Sequence, residues 1–140
     1  MPVEILPNCA LVSLQVRGDE RGSLIAIEGG RHVPFDIARV YYIFGTQPAV
    51  ERGFHAHRVL DQYAVCLSGS CTIVVDDGRE RREVPLSRPD EMLHLGAMIW
   101  HEMRDFSPDC VLMVVADAAY DEADYIRDYD QFLAAAGGRE

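Results

Sequence analysis

Two histidines separated by a single residue, His55 and His57, are the side chains of this sequence best placed to move protons. The apolar, β-forming runs 63–67 and 71–75 follow them, so we expect the pair on a β-strand, where alternate side chains face the same side. Imidazole titrates near neutral pH and can both accept and return a proton. The spacing therefore predicts one cavity lined by two imidazoles, at the mouth of a hairpin that turns at 68–70.

The spacing around the pair fits, loosely, the pattern of small jelly rolls of the cupin type, in which His-x-His is followed by an acidic residue, a glycine and a later histidine. Here Gln62 stands at the acidic position, Gly69 at the glycine and His101 at the later histidine. Three histidines with a carboxylate would suit divalent iron, manganese or nickel. Because Gln62 removes the negative charge, we predict a site without metal or cofactor. The alternatives are a metal-dependent cupin and a histidine pair that is only hydrogen-bonded core.

Four further side chains are candidates for the same site. Arg39 and Tyr41 alternate along one predicted strand and therefore share a face. Arg52 precedes the histidines and cannot deprotonate, so beside an imidazole it favours an anion such as a diphosphate or an enolate. Trp100, next to His101, fits either a core position or a position that stacks on a ring. Taken alone, Arg52 would be typical of a surface charge and Tyr41 of a packed strand aromatic. The nearby histidines make both of them site candidates.

Composition limits the classes of protein to consider. A chain of 140 residues fits a single domain, predicted to span 1–140, and its formal charge of −10 argues against a nucleic-acid partner. The four cysteines show no CxxC spacing and three lie in apolar runs, which favours buried free thiols over disulfides or zinc ligands. No apolar run reaches the roughly 20 residues of a membrane span, and the N-terminus lacks the pattern of a signal peptide. We therefore predict a soluble, cytoplasmic protein with no membrane partner.

The order of patterns along the chain predicts an all-β fold. Strands are expected at 11–16 and 23–28 with a turn at 17–22, and the sequence of 76–78 predicts a tight Asp-Gly hairpin turn. Residues 124–135 carry apolar side chains at helical spacing. About ten short strands followed by one helix are typical of an antiparallel cupin or jelly-roll barrel or sandwich with a short C-terminal helix.

Several motifs together closely resemble the nucleotide-sugar 3,4-ketoisomerases, cupin-fold enzymes of the WxcM-like group. The resemblance covers roughly residues 19–132 and depends on the combination rather than on one motif. The motifs are Asp19-x-Arg21-Gly22-Ser23-Leu24, Pro34-Phe35-Asp36-Ile37, Arg39-Val40-Tyr41-Tyr42-Ile43, Arg52-Gly53-Phe54-His55-Ala56-His57, Leu67-x-Gly69-Ser70-Cys71, Asp76-Asp77-Gly78, Trp100-His101-Glu102-Met103 and Tyr120-Asp121-Glu122-x-Asp124-Tyr125-Ile126-Arg127.

The resemblance implies a substrate, dTDP-4-keto-6-deoxy-D-glucose, converted to a dTDP-3-keto-6-deoxyhexose on the way to a 3-amino-3,6-dideoxy sugar. It also implies a metal-free site and a homodimer that exchanges N-terminal strands. The family's catalytic residues fall on His55, His57, Tyr41 and Arg52. Substrate-binding roles are predicted for Arg39, Gln62, Trp100 and His101.

The residue types suit this chemistry. His55 would remove the proton from C3, next to the C4 ketone, and Arg52 would stabilise the resulting negative charge. His57 and Tyr41 would move protons on the oxygens or back to C4. The alternatives are a dTDP-sugar epimerase of the 3,5 type and a non-catalytic sugar-binding module, and the sequence leaves the C4 configuration of the product, gluco or galacto, open.

Overall fold

The structure, a computed structural model, describes residues 2–137 of the chain. Residue 1 and residues 138–140, the two ends of the predicted domain, lie outside the described part. The elements are, in order, β1 (Val3–Leu6), β2 (Cys9–Ser13), β3 (Arg17–Asp19), β4 (Gly22–Leu24), β5 (Arg39–Ile43), β6 (Arg52–His57), β7 (Gln62–Ser68), β8 (Cys71–Asp76), β9 (Arg81–Leu86), β10 (Glu91–Leu95), β11 (Trp100–Arg104), β12 (Val111–Ala116), a 3₁₀-helix (Glu122–Asp124), β13 (Tyr125–Ile126) and α1 (Tyr129–Ala136).

The strands form two facing antiparallel sheets and one small hairpin. The six-stranded sheet has the order β1-β2-β10-β7-β12-β5, the five-stranded sheet has the order β13-β6-β11-β8-β9, and β3 pairs with β4. Buried side chains such as Leu93 and Val114 from one sheet and Ile73 and Val75 from the other form a common apolar core. The prediction of an all-β, antiparallel jelly-roll sandwich with a short C-terminal helix is confirmed.

The predicted hairpin of 63–67 with 71–75 is wrong. β7 pairs with β10 and β12 in one sheet, whereas β8 pairs with β11 and β9 in the other. The connection between them crosses from sheet to sheet and is held by Ser107, whose Oγ accepts from the Ser70 amide at 2.9 Å. Gly69 has a φ of +68°, and a side chain there would collide with the loop that contains Ser107. Two apolar strands joined by a short turn thus face each other across the core instead of pairing.

Other boundaries shift for local reasons. The strand expected at 11–16 is β2, preceded by the unexpected β1, and the turn expected at 17–22 is the β3–β4 hairpin. The helix expected at 124–135 begins at Tyr129, because the carboxylate of Asp128 caps it by accepting from the Gln131 amide at 3.0 Å. The turn expected at 76–78 does join β8 to β9.

All four cysteines are buried and free, as predicted. Three of them, Cys66, Cys71 and Cys110, converge in the core, and burial raises the pKa of the Cys66 thiol to about 12. Burial also raises the pKa of Cys71, so the Cys66 and Cys71 thiols are neutral packing groups at physiological pH. Within residues 2–137 the helices are too short and too polar to span a membrane.

Candidate active site

Strand β6 carries the histidines and lies between two other strands of its sheet. His55 pairs with His101 of β11, and His57 pairs with Tyr125 of β13. Between Gly53 and His55 the ladder slips by one residue, and both Gly53 and Phe54 have positive φ, at 90° and 61°. This bulge leaves His55 directly opposite His101, where cross-strand side chains share a face.

Three imidazoles therefore meet. The ring centroids lie 5.0 Å apart for His55 and His57, 4.6 Å apart for His55 and His101, and 6.1 Å apart for His57 and His101. His57 and His101 are 4% and 1% exposed. The buried nitrogens Nδ1 of His55 and Nε2 of His101 have no hydrogen-bond partner in the described part of the chain. The cluster thus keeps proton-accepting groups inside an otherwise apolar sandwich.

Burial determines the charge of these rings. Removal from water, together with the neighbouring His57, lowers the pKa of His55 to about 4. Burial also lowers the pKa of His57, against the opposing effect of Asp124, and holds the pKa of His101 well below its ordinary value. All three rings are therefore neutral near pH 7 and able to accept a proton.

A cavity of about 470 Å³ opens beside His55. Its wall includes Tyr41 on β5, Arg52 on β6 and Tyr125 on β13. Burial raises the pKa of Tyr41 to about 12, so its hydroxyl keeps its proton. Arg39 and Arg127 also line this cavity, with Glu51 as its acidic side chain. Although the chain as a whole is acidic, this cavity offers three guanidinium groups to an anion.

A second cavity of about 300 Å³ is lined by His57 and Asp124. It shares Arg39 and Tyr125 with the first cavity. The Tyr125 ring contacts both imidazoles, with centroids 4.8 Å from His55 and 4.4 Å from His57. The structure thus brings the two predicted histidines together, but each lines its own cavity, with Tyr125 common to both.

The segment from Tyr120 to Arg127 supplies site residues that the sequence analysis did not assign. The Arg127 guanidinium lies 4.3 Å above the Tyr125 ring and forms an ion pair with Glu122 at 2.8 Å. Glu122 also accepts a hydrogen bond from the Tyr120 hydroxyl. The motif over these residues contributed to the family resemblance, and that was the one signal of their importance. Their place beside the histidines follows from the pairing of β13 with β6.

The other predicted binding residues fall in three different places. The Arg39 guanidinium lies 4.7 Å over the Tyr41 ring, at the cavity. Gln62 is buried in β7, and neither cavity includes it in its lining. Trp100 donates its indole N–H to Glu102 at 2.9 Å and packs on α1, with its ring centroid 5.7 Å from that of Phe132. Trp100 is thus a core residue beneath the helix in this structure.

The histidine cluster also has the geometry to hold a metal ion. One nitrogen from each of His55, His57 and His101 lies within 4.8 Å of the others. Among the described residues, no carboxylate belongs to that group. A divalent ion would find three neutral imidazole ligands and no carboxylate ligand among the described residues, which suits it less well than three histidines with a carboxylate.

The sandwich and its histidine cluster define a jelly-roll domain with three neutral imidazoles beside a cavity lined by arginines. The chain matches the family described as WxcM-like, C-terminal, over residues 7–137. It belongs to this family.

Named relatives agree with this assignment. The chain is 55% identical over 114 residues to the TDP-4-oxo-6-deoxy-alpha-D-glucose-3,4-oxoisomerase of Aneurinibacillus thermoaerophilus, covering 81% of this chain and 82% of the relative. A histidine-to-asparagine variant of a 3,4-ketoisomerase from Thermoanaerobacterium thermosaccharolyticum, in complex with TDP-4-keto-6-deoxyglucose, is 41% identical with a TM-score of 0.92, over 94% of this chain and 96% of that one. The TDP-quinovose 3,4-ketoisomerase of Campylobacter jejuni is 47% identical with a TM-score of 0.89, over 92% and 99%. The resemblance read from the sequence is confirmed.

Proposed function

We propose that this chain is a sugar-nucleotide 3,4-ketoisomerase that converts dTDP-4-keto-6-deoxy-D-glucose to a dTDP-3-keto-6-deoxyhexose. The observation that carries the proposal is the convergence of neutral imidazoles with a protonated tyrosine and arginines around one strand. Moving a ketone from C4 to C3 needs a base for a carbon-bound proton, an acid and a base for the two oxygens, and positive charge for the intermediate. The site contains a group for each of these tasks.

The first step removes a proton from C3. The neutral imidazole of His55 accepts it, and the electron pair of the C3–H bond forms the C3–C4 double bond of an enediolate with its charge on O4. Arg52 lines the same cavity and can stabilise that charge. The Tyr41 hydroxyl, kept protonated by its raised pKa, can donate to the same oxygen.

The second step completes the isomerisation. C4 takes up one proton and O4 takes up another to become a hydroxyl, while O3 loses its own proton, so that the carbonyl now stands at C3 and the proton lost by O3 balances the one gained by O4. His57 is the second proton carrier, since its ring centroid lies 5.0 Å from that of His55. The proton lost at C3 is balanced by the proton gained at C4, so the reaction needs no redox cofactor.

The nucleotide part of the substrate fits the charge of the cavity. A diphosphate is best held by guanidinium groups, which can donate two hydrogen bonds to one phosphate. Arg39, Arg52 and Arg127 line the larger cavity. We assign the diphosphate to this cavity and place the hexose ring beside His55, which lines it.

We also propose that the enzyme is a homodimer with exchanged N-terminal strands. Val40 and Tyr42 on the edge strand β5, and Phe44 directly after it, are 53%, 63% and 70% exposed, and Val40 lines an apolar groove of about 730 Å³. The β3–β4 hairpin has every residue exposed, and such a hairpin is marginally stable alone in water. A second copy of this chain would cover the exposed apolar face at β5 and the β3–β4 hairpin.

Light scattering tests the dimer. The expected mass is twice the 15.7 kDa of one chain, and Tyr42→Asp should shift the protein toward monomer because it places a charge in the covered face. A wild-type monomer with full activity would overturn the proposal.

Product analysis tests the proposed reaction. The protein is incubated with dTDP-4-keto-6-deoxyglucose in deuterated water, and the product is assigned by NMR. A 3-keto sugar supports the proposal, and its C4 configuration answers the gluco or galacto question. Deuterium at C3 and C5 with the ketone still at C4 would instead identify a 3,5-type epimerase, and an unchanged, unlabelled sugar would identify a binding module.

A further inference from the structure

Among residues 2–137, a carboxylate lies at ion-pair distance from His57, and none does so from His55. Oδ2 of Asp124 lies 3.3 Å from Nδ1 of His57, an ion-pair distance without the geometry of a hydrogen bond. Asp124 is at the end of the 3₁₀-helix, immediately before Tyr125, which pairs with His57. The backbone pairing of β13 with β6 therefore sets the carboxylate against the ring.

The backbone also fixes the carboxylate itself. Oδ1 of Asp124 accepts from the Val59 amide at 2.8 Å, and Oδ2 accepts from the Leu60 amide at 3.1 Å. The carbonyl of Asp124 accepts from the Arg58 amide at 2.9 Å. Hydrogen bonds from backbone N–H groups hold a carboxylate in position. Asp124 therefore presents its carboxylate at a fixed position to Nδ1 of His57.

We infer that Asp124 is a positioning residue for His57: it accepts the Nδ1 proton, leaves Nε2 as the nitrogen that exchanges protons with the substrate, and stabilises the imidazolium when His57 is protonated. The catalytic part of this inference rests on the proposed function, whereas the tautomer and the proton affinity of His57 do not. The fold therefore gives the two histidines different proton affinities. His55 has no such carboxylate and remains the weaker base, whereas His57 holds its proton more firmly.

The charged and titratable groups around His57 agree with this assignment. His55, His101 and Tyr125 contact its ring, and Arg39 lines the same cavity. Arg39 and Arg127 lower the proton affinity of His57, and Asp124 opposes them by its charge. Removing the carboxylate should therefore make His57 harder to protonate.

The competing explanation is that Asp124 only stabilises the turn at 58–60 through its hydrogen bonds to the backbone. Asp117 provides a matched control, because its Oδ1 accepts from the Asp61 amide at 3.1 Å and it lines the same cavity. Asp117→Asn weakens a similar carboxylate-to-backbone bond without removing a charge at Nδ1 of His57. An effect shared by both variants is structural, and an effect confined to Asp124→Asn belongs to the histidine.

The experiment has two readouts. Ring ¹⁵N NMR of the ligand-free protein should show the proton of neutral His57 on Nδ1. Asp124→Asn should lower the titration midpoint of His57, whereas Asp117→Asn should not.

The second readout is turnover. Asp124→Asn should lower kcat by at least roughly tenfold, which is part of the loss expected when a general acid–base residue is removed, and KM should be nearly unchanged. The limb of the pH–kcat profile that reports His57 should move to lower pH, and Asp124→Glu should move it back.

The outcomes separate the two proposals. A wild-type proton on Nε2 of His57 would overturn the positioning role, even if Asp124→Asn did not fold. Equal effects of the Asp124→Asn and Asp117→Asn variants on the pH profile would also overturn it, with the isomerase assignment intact. If the wild type forms no 3-keto product while the NMR midpoint still shifts in Asp124→Asn, the proposed function fails and the link between Asp124 and His57 stands.

Discussion

The interior of the sandwich has an apolar region and a polar region, built by the same alternation of side chains. Where β7 and β10 face β8 and β9, the inward residues are apolar, as with Ala64, Leu93 and Ile73. Where β6 and β13 face the edge strand β5, the inward positions hold imidazoles and phenols. Polar groups are accepted at this side because the edge strands open to a cavity. In the closed region a buried polar group would need an internal partner.

The comparison teaches that the face and the strand on which a histidine lies, and not its local pattern, decide whether it reaches the site. His94 alternates with the inward Leu93 and Leu95 of β10 and therefore lies on the outer face of the six-stranded sheet, where Nε2 lies 2.5 Å from Oδ1 of Asp61 and the ring stacks on Tyr63 at 4.6 Å. His55 has an Nδ1 without a partner among the described residues and a wall of the cavity beside it. The two histidines therefore provide a matched pair for mutagenesis.

The largest expected effect is the loss of turnover in His55→Asn. Asparagine keeps much of the size of histidine but cannot accept the C3 proton, so kcat should fall by roughly 10²–10⁴-fold. His94→Asn, in the other sheet, should leave kcat within about twofold, because its ring is not part of the proton-transfer site. Steady-state assays of both variants make the comparison, and a similar loss in His94→Asn would remove the distinction between the two regions.

A smaller effect is expected for Arg52→Ala. Arg52 lines the cavity and is exposed, so its loss should weaken binding of the diphosphate or stabilisation of the enediolate rather than abolish proton transfer. A raised KM with unchanged kcat would assign Arg52 to the diphosphate, and an equal fall in kcat and kcat/KM would assign it to the intermediate. Wild-type kinetics in this variant would exclude Arg52 from the site.

Acid should destabilise the polar region first. The pKa of His55 is about 4 in the folded chain against an ordinary 6.5, so between these values the unfolded chain binds more protons. The free energy of unfolding should therefore fall as pH is lowered through this window, with His57 and His101 acting in the same direction. Thermal unfolding at several pH values measures this, and the fall should be smaller in His55→Asn. A melting temperature that stays level or rises as pH falls through the window would contradict it.

Metal removal should have the smallest effect. The three imidazoles have the spacing for an ion, but no carboxylate of the described residues joins them. Activity should survive exhaustive dialysis against EDTA. If activity is lost and one equivalent of a divalent ion restores it, the polar region is a metal site, and the metal-dependent cupin alternative is supported.

Alternation along single strands could be predicted from the sequence. The shared faces of His55 with His57 and of Arg39 with Tyr41 follow from period 2, and the structure has the first pair in ring contact and the second at one cavity. The motifs identified the family, because their combination depends on residue identity rather than on folding.

Pairing between distant segments could not be predicted. Runs 63–67 and 71–75 are both apolar, and nothing local says that they belong to opposite sheets. β13 has two residues, too few for a strand pattern, yet it brings Tyr125 against His57. Asp124 was therefore missed as a partner of that ring. Of the two positions that the sequence left open for Trp100, the structure has the core position, because a residue next to a site histidine points to the opposite face of its strand.

The exchange of the C3 proton with solvent tests the central claim, that His55 is the base, most directly. Substrate is incubated in deuterated water with the wild type, His55→Asn and His57→Asn, and loss of the C3–H signal is followed by NMR. The account predicts rapid exchange in the wild type, residual exchange without full product formation in His57→Asn, and exchange slowed with turnover in His55→Asn. Exchange at the wild-type rate in His55→Asn would show that another residue removes the proton.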